Sequence, residues 1–395
     1  MTNILTINEV CESLEDGNWI ESKDQSMDGI RLIQTGNIKS GYFEDNPHKV
    51  RYISEKTFNK LNCKEVFEGD ILISRLPDPV GRGCILPKLE NRSITAVDCA
   101  IVKVKKNIIN NKYLLYFLQS PQYQFQVNQK VTGTTRSRIS RKNLGEINIP
   151  VPSLHEQEKI VERLDKSSSL VNQNIEIINK SLEKLIDTRE GTINELFNSF
   201  ENFINWEEAA TLVRGPFGGS LTKKMFVNEG YAVYEQRNAI GNNTKEFRYF
   251  VNKDKYLELK RFAVMGNDLI MSCSGTIGKV TKIDKDFKEG IINQALLKIT
   301  PLNSEEIDFM VAWMSSKHFK DQLKTKGAAQ KNIVSVKEIK KIKYPVAKKN
   351  QIDEIIKQVD RIKSISHELN KLYEMKLSLY KKLFQSLLQE DFNYE

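Results

Sequence analysis

Gly69-Asp70-Ile71-Leu72-Ile73-Ser74 is worded again, further along the chain, as Asn267-Asp268-Leu269-Ile270-Met271-Ser272. Each is a short apolar run entered through a turn, the pattern of a buried strand. Working outward, Tyr113-Leu114-Leu115-Tyr116-Phe117-Leu118-Gln119-Ser120 returns as Phe309-Met310-Val311-Ala312-Trp313-Met314-Ser315-Ser316, each followed by an aromatic residue, Tyr123 or Phe319. The loop Gly133-Thr134-Thr135-Arg136-Ser137-Arg138-Ile139 answers Gly327-Ala328-Ala329-Gln330-Lys331-Asn332-Ile333, and Ile147-Asn148-Ile149-Pro150 answers Ile342-Lys343-Tyr344-Pro345. Four matched blocks in one order, at a period too long for short-repeat solenoids, mean two duplicated domains.

Each copy runs into a helix. Ser153 can cap a helix opening at Pro152-Ser153-Leu154-His155-Glu156, with Glu156 reaching back in a capping box. Behind it Leu164, Ser168, Val171, Ile175, Ile178, Leu182 and Leu185 alternate steps of four and three, so one narrow apolar seam follows a charged rod. From Ser153 to Asn198 such a rod would extend roughly 65–70 Å, with Gly191 its weak point. In the second helix the expected seam is Ile355, Val359, Ile362, Ser366, Leu369, Tyr373, Tyr380, Leu383 and Leu387, interrupted at Lys376. Narrow seams on solvated rods need partners, and an antiparallel coiled coil between the two is preferred over two ordinary surface helices. The expected architecture is α+β, with domains 1–152 and 199–347, long helices 153–198 and 348–388, and a tail 389–395.

Charge divides in the same way. Net charge is +4 over residues 1–152, −3 over 153–198, +9 over 199–349 and −1 over 350–395. Basic globular parts and near-neutral rods fit domains that meet phosphate and rods that meet protein. The segment Met1 to Gly17 carries four acidic residues and no sustained apolar run, so no signal peptide and no membrane span are expected. Five cysteines (Cys11, Cys63, Cys84, Cys99, Cys273) lack C-x-x-C spacing, which points to reduced thiols and a cytoplasmic setting. His48, His155, His318 and His367 are scattered without metal-ligand spacing and are expected at the surface.

Catalytic motifs are missing. Gly275-Thr276-Ile277-Gly278-Lys279 lacks the spacing of a phosphate loop, and Asn46-Pro47-His48-Lys49 departs from the Asn-Pro-Pro-Tyr motif of adenine methyltransferases after its second residue. It reads as a turn. Pro77-Asp78 with Glu90-Asn91-Arg92 lacks the lysine of a nuclease carboxylate set, which leaves Asp78 a loop residue.

Ile149-Pro150-Val151-Pro152 leading into Glu156-Gln157-Glu158-Lys159-Ile160, the glycine loop with Thr134-Thr135-Arg136, and the order domain, helix, domain, helix together resemble the specificity subunit of type I restriction-modification systems. The resemblance covers essentially the whole chain. The second copy departs from it, with Pro345-Val346-Ala347 lacking the second proline and Asn350-Gln351-Ile352 keeping only the glutamine. The resemblance implies a subunit without an active site, whose two target recognition domains each read half of a split, asymmetric site in double-stranded DNA. The helices would fix the spacer between the halves and dock two methyltransferase subunits. Those partners would use S-adenosylmethionine to methylate adenine at N6, and a translocating nuclease subunit using ATP and magnesium would restrict unmodified DNA. No cofactor is expected in this chain.

For DNA contact the first domain offers Thr132, Gly133, Thr134, Thr135, Arg136, Ser137 and Arg138, where small residues let the backbone approach phosphate beside arginine donors. Arg75 and Arg82 follow, with Gln34, Thr35 and Asn37 for base edges. Matching positions in the second domain are Gln330, Lys331 and Asn332, then Ser274, Thr276 and Lys279, then Gln236, Arg237 and Asn238. Different side chains at matched places predict different half-sites. A self-sufficient DNA methyltransferase and a coiled-coil scaffold that never touches DNA are the alternatives.

Overall fold

The computed structural model describes residues 2–133, 137–323 and 336–393. They form two compact units, Met1–Ile178 with Glu374–Glu395, and Asn179–Tyr373. In the first unit the strand Ile71–Ser74 sits inside a four-stranded sheet ordered Cys11–Asp16, Cys99–Val104, Ile71–Ser74, Gly83–Ile85. In the second, Leu269–Ser272 holds the same place in the order Ala210–Arg214, Leu296–Pro301, Leu269–Ser272, Val280–Lys282.

Both strands are buried throughout, and apolar up to their final serine, because both faces of the sheet are covered. Ile71 and Ile73 face the larger apolar cluster of the first unit while Leu72 faces a smaller one. Leu269 and Met271 divide from Ile270 in the same way. Alternate residues of a strand point to opposite faces, so two covered faces erase the polar half of the pattern. The turn before each strand needs a left-handed residue. Gly69 takes φ +90° and Asn267 φ +73°, asparagine being among the side chains that tolerate it. Asp70 Oδ2 then accepts from Phe67 N at 2.9 Å, and Asp268 Oδ2 from Met265 N at 2.8 Å.

A second sheet in each unit carries one parallel pair, Ile30–Ile33 with Ser93–Thr95 in the first and Tyr231–Tyr234 with Gly290–Ile292 in the second. The matched aromatic blocks lie on helices Asn111–Phe117 and Ile307–Ser315, which bury Tyr113 and Phe117, or Phe309 and Trp313. The sequence repeat is thus a structural repeat in the four-stranded sheets, the parallel pairs and the aromatic helices, although the second sheet has five strands in the first unit and three in the second.

The long helices run Leu154–Asn198 and Lys349–Phe392. Gly191 lies within the first without ending it. Ser153 Oγ accepts from Glu156 N at 3.3 Å. In the second helix Lys348 N donates to Gln351 Oε1 at 3.0 Å, so Gln351 supplies the reach-back role expected of Glu156. The first helical hydrogen bonds align the two starts, Gln157 N to Ser153 O at 2.9 Å and Ile352 N to Lys348 O at 3.0 Å. The glutamine of the second copy therefore matches Glu156, and Ile352 matches Gln157. Gln157 is fully buried. Its amide donates to Ile108 O and Pro152 O, both at 2.9 Å, and accepts from Asn110 N at 2.8 Å, which pins the helix to the first unit.

Within each unit the two helix segments pair antiparallel. In the first, Arg163 meets Asp391 and Tyr380 OH donates to Asn174 Oδ1 at 3.0 Å, numbers rising on one helix as they fall on the other. In the second, Ile193 and Phe197 share a core with Ile352, Ile355 and Val359. The expected seam of the first helix is inward, with Leu164, Val171 and Ile178 buried. The second seam needs correction: Leu369 and Leu383 are exposed, and Leu377 and Phe384 turn inward. Lys376 lies beside this seam and does not interrupt it. Residues 389–392 of the expected tail continue the helix, and Phe392 is buried in the first core. A period of 3.6 drifts across a long helix, so seam positions read at fixed spacing slip by one residue.

All five cysteines are free and buried, and burial pushes the Cys11, Cys84 and Cys273 thiols up to about 12. His318 is half-buried rather than on the surface. Its ring stacks on Phe203 and its Nδ1 accepts from Trp313 Nε1 at 3.2 Å. Among the described residues no helix is long and apolar enough to cross a membrane.

Candidate nucleic-acid interface

The strand Ile71–Ser74 leads into a loop that ends at Arg82, and Leu269–Ser272 into one that ends at Lys279. The two loops share a frame. Gly81 N donates to Ser74 O at 2.8 Å and Ser74 N to Arg82 O at 2.8 Å; Gly278 N donates to Ser272 O at 2.9 Å and Ser272 N to Lys279 O at 2.8 Å. Gly81 and Gly278 both take positive φ, +84° and +81°. The serine hydroxyls brace the loops, Ser74 Oγ donating to Leu76 O at 3.3 Å and Ser272 Oγ to Thr276 O at 2.6 Å.

On this frame the cations differ. Arg82 is only 6% exposed, and its guanidinium donates to the carbonyls of Ile38, Leu76, Pro77, Pro79 and Thr35 at 2.6–3.0 Å. Arg75 is 4% exposed, with Nη2 donating to Val97 O at 2.6 Å and lying 3.2 Å from Asp16 Oδ1. Neither guanidinium reaches the surface, so both hold the first domain's loops together instead of presenting donors to DNA. Burial draws both below the ordinary arginine range, consistent with desolvated cations. Lys279, by contrast, is exposed, as is Thr276.

The loop Thr132 to Arg138 has a closed neck, Thr132 N to Arg138 O and Arg138 N to Thr132 O both at 2.9 Å, and Gly133 takes φ +101°. Ile139 N to Arg75 O at 3.2 Å ties it to the neighbouring loop. Arg138 stays half-exposed, with Nη2 3.0 Å from Asp98 Oδ1, and Arg141 stands 3.8 Å from Asp16. Arg75, Arg138 and Arg141 thus gather around Asp16 and Asp98, a local excess of positive charge beneath the loop. Thr134, Thr135 and Arg136 lie outside the described residues, as do Gln330, Lys331 and Asn332.

The polar candidates after the parallel strands divide by role. Asn37 Oδ1 accepts from Gln34 N at 3.0 Å and Asn238 Oδ1 from Glu235 N at 2.8 Å, so both asparagines fold their own turn. Asn238 is buried and also donates to Asn243 O and Glu246 O at 2.8 and 3.0 Å. Gln236 Nε2 donates to Ser274 O, joining two candidate segments. Arg237 remains part-exposed near Glu246 at 3.7 Å. Gln34 and Thr35 are half-buried.

Sequence spacing gave no sign of a third feature of the second unit. Beside Lys279 lies a pocket of about 250 Å³ whose walls include Arg189, Glu190, Lys320 and Lys363, contributed by three separate helices. Among the described residues no cluster of three or more His, Cys, Asp or Glu side chains that could hold a metal comes together.

Comparison with known proteins places this geometry. The family model described as "Type I restriction modification DNA specificity domain" matches residues 2–185 and 217–374. The chain is 21% identical to the specificity subunit of the type I restriction enzyme EcoBI from Escherichia coli, over 94% of this chain and 85% of that one. Its fold is similar to a chain from a study of complex assembly and conformational transition in the type I R-M system, with a TM-score of 0.74, 14% identity, and 99% and 97% of the two chains covered. The HsdS subunit from Thermoanaerobacter tengcongensis is similar with a TM-score of 0.51 and 14% identity, over 99% and 96%.

Proposed function

The chain belongs to the type I restriction modification DNA specificity family, and from that premise we propose that it chooses the DNA site for a restriction-modification complex without doing chemistry itself. Each globular unit reads one half of a bipartite, asymmetric site. The long helices set the unread spacer and carry two methyltransferase subunits, and a translocating nuclease subunit joins for restriction. S-adenosylmethionine belongs to the methylating partners, and ATP and magnesium to the nuclease. The setting is cytoplasmic.

One observation carries this reading: two units repeat a backbone frame down to individual hydrogen bonds and differ in the loops that hang from it. A shared frame fixes where a loop meets the duplex, whereas its side chains decide which bases are accepted. The exposed candidates among the described residues of these loops are Thr132, Gly133, Arg138, Arg237, Thr276 and Lys279. The two basic regions supply the phosphate attraction, +4 and +9.

Long-read mapping of methylated adenines in cells carrying this chain and a methyltransferase partner tests it, and should return one split motif. Deleting one matched heptad from each helix shortens the rods by about 10 Å and should change the spacer by about three base pairs with both half-sites intact. Altered half-sites after that deletion, or no split motif at all, would count against the reading.

A further inference from the structure

The pocket beside Lys279 has an unusual balance of charge. Arg189 comes from the end of the central helix, Lys363 from the C-terminal helix, Lys320 from helix Lys317–Leu323 and Lys279 from the loop. Glu190 is the single carboxylate of the wall, and it pairs with Lys320 at 3.1 Å. Arg189, Lys279 and Lys363 make no side-chain ion pair with any described residue, so three cations converge without a counter-charge. The rest of the lining is Gly278, Ser315 and the apolar side chains of Ile193, Val280, Val311 and Met314, which weaken screening of the cations beside them. At about 250 Å³ the space admits a phosphate group with its ester oxygens.

The first unit has nothing comparable at the matching place. Phe197 packs on Phe309 at 5.6 Å as Phe392 packs on Tyr113 at 5.1 Å, which aligns the two helix ends. Two turns back, Arg189 corresponds to Phe384, whose ring meets Tyr116 at 6.3 Å. Lys363 corresponds to Ser168, Lys320 to Gln124, and Lys279 to the buried Arg82. Four cations stand at this place in the second unit where an aromatic ring, two neutral residues and one inward-turned arginine stand in the first.

We propose that Arg189, Lys279, Lys320 and Lys363 form a phosphate clamp that holds a backbone phosphate of bound DNA beside the second recognition domain. This rests on the DNA-reading function above and adds a site that carries affinity without sequence information. With Arg189 and Lys363 on the helices and Lys279 on a recognition loop, one phosphate would tie spacer rod and reader to the same strand.

The test uses the full chain with its methyltransferase partner and duplex carrying the mapped motif. Arg189→Gln with Lys363→Gln should lower the slope of log affinity against log salt by about 1, weaken binding several-fold near physiological salt, and leave both half-sites unchanged. Glu190→Gln removes the lone carboxylate and should shift affinity the other way, a gain that misfolding cannot produce. A second arm titrates inorganic phosphate into the wild-type chain and the double variant. If the wild-type complex binds no DNA yet phosphate binding is lost in the variant, the clamp stands for a free phosphate and the DNA-reading function fails. Unchanged slopes in both variants, or a changed half-site in the double variant, would overturn the clamp.

Discussion

The loops Ser74–Arg82 and Ser272–Lys279 hang from the same backbone hydrogen bonds, yet one turns its final cation inward onto five carbonyls and the other leaves it in solvent. The difference extends beyond the loops. Arg75 matches Cys273, since Arg75 N donates to Asp98 O at 2.9 Å and Cys273 N to Ala295 O at 2.8 Å, and Gln157 matches Ile352. The first unit fastens its frame with buried polar side chains where the second uses apolar ones and frees its lysine. Equal positions in a repeat therefore do not imply equal duties: a cation in a loop can be a fastener or a probe, and burial decides which.

The largest effect should come from Arg82. Arg82→Met strands carbonyls that the guanidinium now satisfies and should cost the first unit about 3–5 kcal/mol, whereas Lys279→Met should stay within about 0.5 kcal/mol. Denaturant unfolding followed by a probe in each unit checks this, and comparable losses would break the contrast. Exchanging the helix-start residues comes next. Gln157→Ile should cost about 1–3 kcal/mol through Asn110 N and the carbonyls of Ile108 and Pro152, and Ile352→Gln a similar amount by burying an amide without partners. For DNA, Arg138→Ala and Lys279→Ala should each lower the salt slope by about 1 if the side chain meets phosphate, with stability nearly unchanged.

The smallest effect concerns pH. Arg31 donates two hydrogen bonds to Asp45, at 2.7 and 3.0 Å, and holds that carboxyl below the ordinary carboxylate range. Its stabilisation is present above the ordinary value of 3.8 and is lost as pH falls through the lower folded value. Asp45→Asn should therefore remove a small part of the first unit's acid sensitivity, read from unfolding midpoints below pH 4.

The repeat, the two rods and the buried strands were legible because each is a periodic or duplicated pattern. Duplicated wording survives without any knowledge of contacts. The duties of Arg75 and Arg82 were not legible, because a loop arginine looks the same whether its guanidinium meets carbonyls or solvent. The match of Gln351 to Glu156 was hidden by the neighbouring glutamine in the first copy, and only the first helical hydrogen bond fixes the alignment. The clamp was hidden for a different reason: Arg189, Lys279, Lys320 and Lys363 come from distant stretches, so no local spacing announces it.

Phe392, on the second long helix, is buried among Tyr113 and Phe117 at 5.1 and 5.6 Å. The first core includes that ring, while every residue of Asn179–Tyr373 has been synthesised before it. During translation, then, the unit that begins first is completed second. A ribosome stalled at Tyr373 would have synthesised every residue of the second unit while the first still lacked Phe392 and Leu388 of its core.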